Sequence, residues 1–207
     1  MADCNDAVFV VTIEELVVAD PPEAWEALGF RVDGDACRIG SVTLRLAGAG
    51  RGRGIVEWSL RGAAAGELEG LPTRVLDPVS GQPPERIDHP NGALHLDHVV
   101  VSSGDLDRTT AALEAAGIPL RRLREDRPRR MAFFRLGEVI LELVEGEDGS
   151  ETAFWGLVVV VEDLDRLTAS LGDRVGGVHD AVQPGRRIVS ARDTAGVSLP
   201  LAFMSPP

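Results

Sequence analysis

Neither lysine nor tyrosine occurs anywhere in this 207-residue chain, and all 21 of its basic residues are arginine. Schiff-base chemistry, pyridoxal-phosphate catalysis on a lysine, a Walker-A lysine and a tyrosine nucleophile or general acid are excluded on that ground alone. Cysteine is nearly absent as well. Cys4 and Cys37 are too few and too unpatterned for a disulfide framework or a zinc motif, and read as two reduced thiols. No apolar run approaches the roughly 18 residues of a membrane span, and the N-terminus, Met1-Ala2-Asp3-Cys4-Asn5-Asp6, is acidic where a signal peptide would be basic. A cytoplasmic protein without a membrane partner is expected. The net charge of −12 argues against a nucleic-acid partner, because a phosphate-tracking surface needs a positive face. No Gly-x-Ser-x-Gly elbow is present, and the glycine-rich stretch 48–54 joins two strands instead of opening a helix, so it reads as a hairpin loop and not a phosphate cradle.

What the chain does hold is an apolar fraction of 44%, enough to bury a core, and an internal repeat. Gly104-Asp105-Leu106-Asp107-Arg108 recurs as Glu162-Asp163-Leu164-Asp165-Arg166, an offset of 58 residues. At the same offset Val99-Val100-Val101 falls on Leu157-Val158-Val159, and Val139-Ile140-Leu141-Glu142-Leu143 falls on Val197-Ser198-Leu199-Pro200-Leu201. Each copy reads as a β-branched strand, a short helix that opens at Asp-Leu-Asp and closes at Gly117 or Gly172, and then further strands separated by Arg-Pro or Pro-Gly turns. The pattern is β-α-β-β-β, in an α+β chain with modules at 94–149 and 150–207. Residues 1–62 read as a shortened copy followed by an extra strand around Trp58, and 63–93 as a connecting segment without a sustained period. A ferredoxin-like pair of β-α-β units explains the helices but not the extra strand of each repeat.

Period-2 alternation places Val139, Leu141 and Leu143 on one face of the last strand of the middle module, and Ile140, Glu142 and Val144 on the other. A carboxylate flanked by Ile and Val on its own face needs a metal, a hydrogen-bond donor or a raised pKa.

The segments Leu96-Asp97-His98-Val99-Val100-Val101, Asp105-Leu106-Asp107-Arg108 and Gly137-Glu138-Val139-Ile140-Leu141-Glu142-Leu143, in this order and duplicated, resemble the vicinal-oxygen-chelate superfamily, the group of glyoxalase I, bleomycin-resistance proteins and extradiol dioxygenases. The resemblance covers residues 94–207 and, more weakly, 7–61. It implies modules paired into a curved, half-barrel sheet around a small-molecule site, with metal ligands on the first and last strands of each module. His98 and Glu142 fall on those positions in the middle module, Glu15 and Arg45 in the first, and Gly156 and Pro200 in the last, where neither side chain binds metal.

Two functional readings follow from the resemblance. In the first the chain is a glyoxalase-like, metal-dependent lyase or isomerase: His98, Glu142 and Glu15 hold one divalent ion (Zn, Mn, Ni or Fe) if modules one and two share a cavity, and Glu142 or Glu15 moves the proton. In the second it is a metal-free, bleomycin-resistance-like binding protein in which Glu142 and Arg45 pair across the cavity and His98 is a wall residue. Arg45, Trp58, Trp155 and Phe133 are the expected substrate contacts, and in the binding reading Phe134 joins the aromatic ones. Monomer and homodimer both stay open. Trp25 reads as a core anchor. His89 and His95, which flank Pro90-Asn91-Gly92, read as exposed, and His179 has no matching partner. The arginine-rich stretch 121–130 reads as a solvated hairpin or, alternatively, a surface that guides an anionic substrate.

Overall fold

The computed structural model describes residues 10–64, 67–77, 86–126 and 128–207, with Glu67 described in its backbone only. Cys4 and Arg127 lie outside the described residues. Two sheets share the chain. The N-terminal sheet contains β1 (Thr12–Val18), β2 (Ala36–Ile39), β3 (Val42–Leu46), β4 (Ile55–Arg61), β5 (Glu67–Leu68) and β6 (Leu71–Leu76), in the spatial order β2-β3-β1-β4-β6-β5. The C-terminal sheet contains β7 (Ala93–Ser103), β8 (Leu120–Arg124), β9 (Met131–Leu136), β10 (Val139–Glu145), β11 (Ala153–Val161), β12 (His179–Asp180), β13 (Arg187–Ser190) and β14 (Leu201–Met204), ordered β12-β13-β14-β11-β7-β10-β9-β8. The fold is α+β with mostly strands, as the repeat implies.

Each sheet is a pair of repeats joined at their first strands. β7 and β11 run antiparallel about the pair Val99 and Leu157, and each takes the last strand of its own module in parallel: β10 beside β7, β14 beside β11. The N-terminal sheet does the same about Leu16 and Trp58, with β3 parallel to β1 and β6 parallel to β4. The segment expected to be a featureless connection therefore holds β5 and β6. Pro72 inside the run and the half-exposed β6 conceal a strand whose pairing with β4 begins only at Thr73, so the proline near its start lies beyond that ladder.

Helices form where their caps begin. α1 (Pro22–Glu26) starts at prolines and buries Trp25, whose indole N–H donates to Asp20 Oδ2 at 3.1 Å. α2 (Leu106–Ala115) and α3 (Leu164–Leu171) open on Asp105 and Asp163, whose carboxylates accept from the backbone N–H of Arg108 and Arg166, both at 2.9 Å. Leu106, Thr109 and Leu113 of α2, and Leu164, Leu167 and Leu171 of α3, make the buried stripes. Left-handed glycines, Gly117 at φ 86° and Gly172 at φ 56°, terminate both helices.

One hydrophobic core runs through both sheets. Trp58 of β4 meets Phe154 of β11 edge-on, with ring centroids 5.2 Å apart, and Phe30 stacks on Phe203 at 6.1 Å. Polar ties accompany the packing: Ser198 N–H donates to Asp20 Oδ1 at 2.8 Å and Asn91 N–H to Gly29 O at 3.0 Å. Cys37 is buried in this core, and burial pushes its thiol up to about 12.

Candidate functional site

Register assigns the side chains of the C-terminal sheet to faces. Val139, Leu141 and Leu143 of β10 are fully buried, while Ile140, Glu142 and Val144 are only half-buried. Directly paired residues share a face, so Ile140 brings in His98 across β7, and Glu142 brings in Val100 on one side and Phe133 on the other. Beyond β7, Val158 lies opposite His98 and Ala202 opposite Val158. The result is an apolar wall of Val100, Phe133, Ile140, Val144, Val158 and Ala202 around His98 and Glu142.

A β-bulge adds a third polar side chain. β11 passes from Val158 to Val159 while β7 passes from His98 to Leu96, which leaves Asp97 as the extra residue. The bulge turns Asp97 to the side of its neighbour, and His98 Nδ1 lies 2.5 Å from Asp97 Oδ2. Arg186, from the turn before β13, reaches past β14 and β11 to give Asp97 Oδ1 a 2.8 Å ion pair, and its Nε donates to Ser205 O at 2.9 Å. These side chains are sealed: 5% of His98, 9% of Asp97 and 10% of Arg186 remain exposed. Asp97 Oδ2, His98 Nδ1 and Arg186 Nη2 are buried atoms without an aligned hydrogen bond among the described residues.

Electrostatics divide the two carboxylates. Burial drives the Asp97 carboxyl up, but contact with His98 and then with Arg186 outweighs it and holds the group at about 2. Glu142 has no such partner. Burial raises its pKa, and the more distant charges of His98 and Arg124 offset that only in part. Asp97 is held as an anion, whereas burial shifts the Glu142 carboxyl upward.

The expected three-ligand set is not assembled. Glu15 lies in the N-terminal sheet, where Arg45 reaches its carboxylate at 3.1 Å and Asp35 at 2.6 Å. Arg45 therefore does not pair with Glu142 either. The internal symmetry repeats this neutralisation, because Glu57 and Arg74 occupy the places of Glu15 and Arg45 on β4 and β6 and pair at 2.9 Å. In the last module register puts Ala202, not Pro200, in the place of Glu142: Val100 faces Glu142 as Val158 faces Ala202. The offset grows from 58 (100 to 158) to 60 (142 to 202) because the third module has two more residues before its last strand. Gly156 holds the place of His98, and a Cβ there would lie 2.5 Å from Pro200 O, so no side chain fits without rearrangement. Among the described residues no three His, Cys, Asp or Glu side chains form a group able to hold a metal. Two donors, one of them already against Asp97 with a guanidinium adjoining, do not fit the three or so ligands of a catalytic divalent site.

The remaining expectations divide. Phe133 sits beside Glu142. Trp58 is not a cavity contact: it is wholly buried between the sheets, and its N–H donates to Thr73 Oγ1 at 2.6 Å. Trp155 is the extra residue of a second bulge and is 58% exposed. His89 is buried, not exposed, because its ring bridges two backbone segments: Nδ1 accepts from Arg31 N–H at 2.9 Å and Nε2 donates to Arg38 O at 2.7 Å. His95 is half-buried and His179 exposed. In the arginine-rich hairpin Arg130 pairs with Asp107 and Glu125, and Arg124 with Asp126. Sequence reasoning passed over Asp97 and Arg186. Two consecutive polar residues inside the β-branched run of β7 were the available sign of the bulge.

No family model and no curated protein matches the sequence. Solved structures do match. A fusion protein of a xylose isomerase-like TIM barrel with 4-hydroxyphenylpyruvate dioxygenase aligns over 95% of this chain and 49% of its own, with a TM-score of 0.65 and 10% identity. A mutant of 4-hydroxymandelate synthase from Streptomyces coelicolor aligns over 95% of this chain and 91% of its own, with a TM-score of 0.57 and 21% identity. Methylmalonyl-CoA epimerase from Mycobacterium tuberculosis aligns over 56% of this chain and 90% of its own, with a TM-score of 0.46 and 19% identity. Among the described residues no helix is long and apolar enough to cross a membrane.

Proposed function

We infer, from a chain that has the vicinal-oxygen-chelate fold of these structures, that its C-terminal sheet carries a metal-independent site for one small oxygenated molecule. The observation that supports this is the pair His98 and Glu142 on an apolar face whose symmetry-related places are Gly156 and Ala202. A face that has kept one module's polar groups and lost the other's can hold and polarise a ligand, but offers no closed set of metal donors. In this reading the protein is a cytoplasmic binding protein of the bleomycin-resistance kind.

A second reading is favoured by one observation, the raised pKa of Glu142. A carboxyl whose pKa is raised by burial is suited to general acid and base work, so lyase or isomerase chemistry without a metal is the enzymatic form of the same site. Glu142 would exchange the proton with the ligand, and Phe133 would cover it. Neither form assigns a role to Glu15, Arg45 or Trp58.

Metal analysis of the purified protein beside His98→Ala and Glu142→Ala variants tests the common premise. The expected result is a substoichiometric metal content, with wild-type stability unchanged by chelator. Stoichiometric divalent metal that disappears in both variants would overturn it and restore a metal-dependent glyoxalase-type enzyme.

A further inference from the structure

We propose that Asp97 and Arg186 are positioning residues that fix His98 in one tautomer and make its Nε2 a hydrogen-bond acceptor, or base, for the ligand. The inference rests on the metal-independent reading above and extends it to the ligand's chemistry. Three buried side chains stand in a row: Arg186 Nη1 at 2.8 Å from Asp97 Oδ1, and Asp97 Oδ2 at 2.5 Å from His98 Nδ1. An ionised carboxylate offers only lone pairs, so the ring nitrogen facing it carries the proton. In a neutral imidazole the proton on Nδ1 leaves the lone pair on Nε2. That nitrogen makes no hydrogen bond among the described residues, so its lone pair is the one left for a ligand. Arg186 has two functions in this row. With His98 it keeps Asp97 ionised, and its Nε bond to Ser205 O fixes the guanidinium against the segment that follows β14.

The ligand that suits such a face presents a donor to Nε2, either a hydroxyl or an acidic carbon-bound proton, and an acceptor to Glu142 when that carboxyl is protonated. Its body is apolar, to lie against Phe133, Ile140 and Val158. A purely structural ion pair would need none of this, because Arg186 and Asp97 could tie β13 to β7 whichever nitrogen of His98 held the proton.

Tautomers are read directly from imidazole nitrogen shifts, and with four histidines in the chain the spectrum is simple. The experiment uses the full-length, metal-free, 15N-labelled protein above neutral pH, with His98 assigned by its loss in His98→Gln. The expected result is an Nδ1–H ring in the wild type and in Arg186→Lys, which keeps a cation for Asp97. In Asp97→Asn, Arg186 holds the amide oxygen and turns the NH2 towards the ring, so the proton moves to Nε2. A wild-type ring protonated on Nε2, or a tautomer unchanged in Asp97→Asn, overturns the proposal. Should Asp97→Asn fail to fold, the wild-type tautomer alone decides, since a ring with its proton on Nε2 has no donor for Asp97. Stoichiometric metal refutes the metal-independent site, whereas the wrong tautomer in metal-free protein refutes the positioning role of Asp97 and Arg186 and leaves the metal-independent site standing.

Discussion

Replacing Arg186 by methionine removes one partner of a sealed ion pair and leaves the other. The side chain of Asp97 is 9% exposed and that of Arg186 10%, so water cannot substitute for the lost guanidinium. Breaking such a pair from one side costs about 3–5 kcal/mol. An independent route gives the same order. The Asp97 carboxyl falls from 3.8 to about 2 on folding, and at ~1.4 kcal/mol per pKa unit its partners, net of the burial they offset, contribute about 2–3 kcal/mol at neutral pH. Because this pKa is depressed, the stabilisation is complete above 3.8 and disappears as pH falls from there to about 2. In Arg186→Met the pKa of the stranded carboxyl rises, so acid relieves the variant before it harms the wild type. Urea unfolding of both proteins from pH 7 to pH 3.5 should show a gap of about 3 kcal/mol or more that narrows with acidification. Adding Asp97→Asn to Arg186→Met should recover most of the loss, which makes the pair a double-mutant cycle. A gap under about 1 kcal/mol at pH 7, or one that is constant with pH, would refute the assignment of a buried, mutually dependent pair.

Other outcomes follow from single residues. Trp58→Ala should cost about 3–5 kcal/mol in urea unfolding, because the ring is wholly buried between the sheets. Glu142→Gln should raise the melting temperature at pH 8 and have little effect at pH 4: a carboxyl whose folded pKa is raised favours the fold below its unfolded value and opposes it once ionised. Burial lowers the pKa of His89, so its contribution is whole above about 6.5 and lost as pH falls. The wild type should therefore lose stability between pH 7 and pH 5, and His89→Gln should flatten that slope.

Much of the architecture could be read from the chain because it depends on local chemistry repeated at a constant interval. Asp105 and Asp163 cap helices wherever an Asp-Leu-Asp run precedes an apolar stripe, and Gly117 and Gly172 end them through backbone conformation alone. The half-buried face bearing Glu142 followed from strict alternation along β10. What escaped was whatever breaks a period. The bulge at Asp97 sets two neighbours on one side of a strand, the extra residues before β14 move Ala202 into the place given to Pro200, and β6 carries a proline. Glu15 was misjudged for another reason. Its sheet partner is a matter of topology, and whether modules one and two enclose one space depends on which strands pair, which no local pattern encodes.

The paired charges of the N-terminal sheet, Glu15 with Arg45 and Glu57 with Arg74, have a consequence for counting. A chain built from duplicated halves invites the expectation of two equivalents of ligand, one for each sheet. Here one half has silenced its polar groups against each other, twice and in symmetric fashion, and only the other keeps Glu142 without an ion-pair partner among the described residues. Any compound that the protein takes up should therefore saturate it at a single equivalent per chain, and calorimetric titration would reveal the asymmetry that the backbone hides.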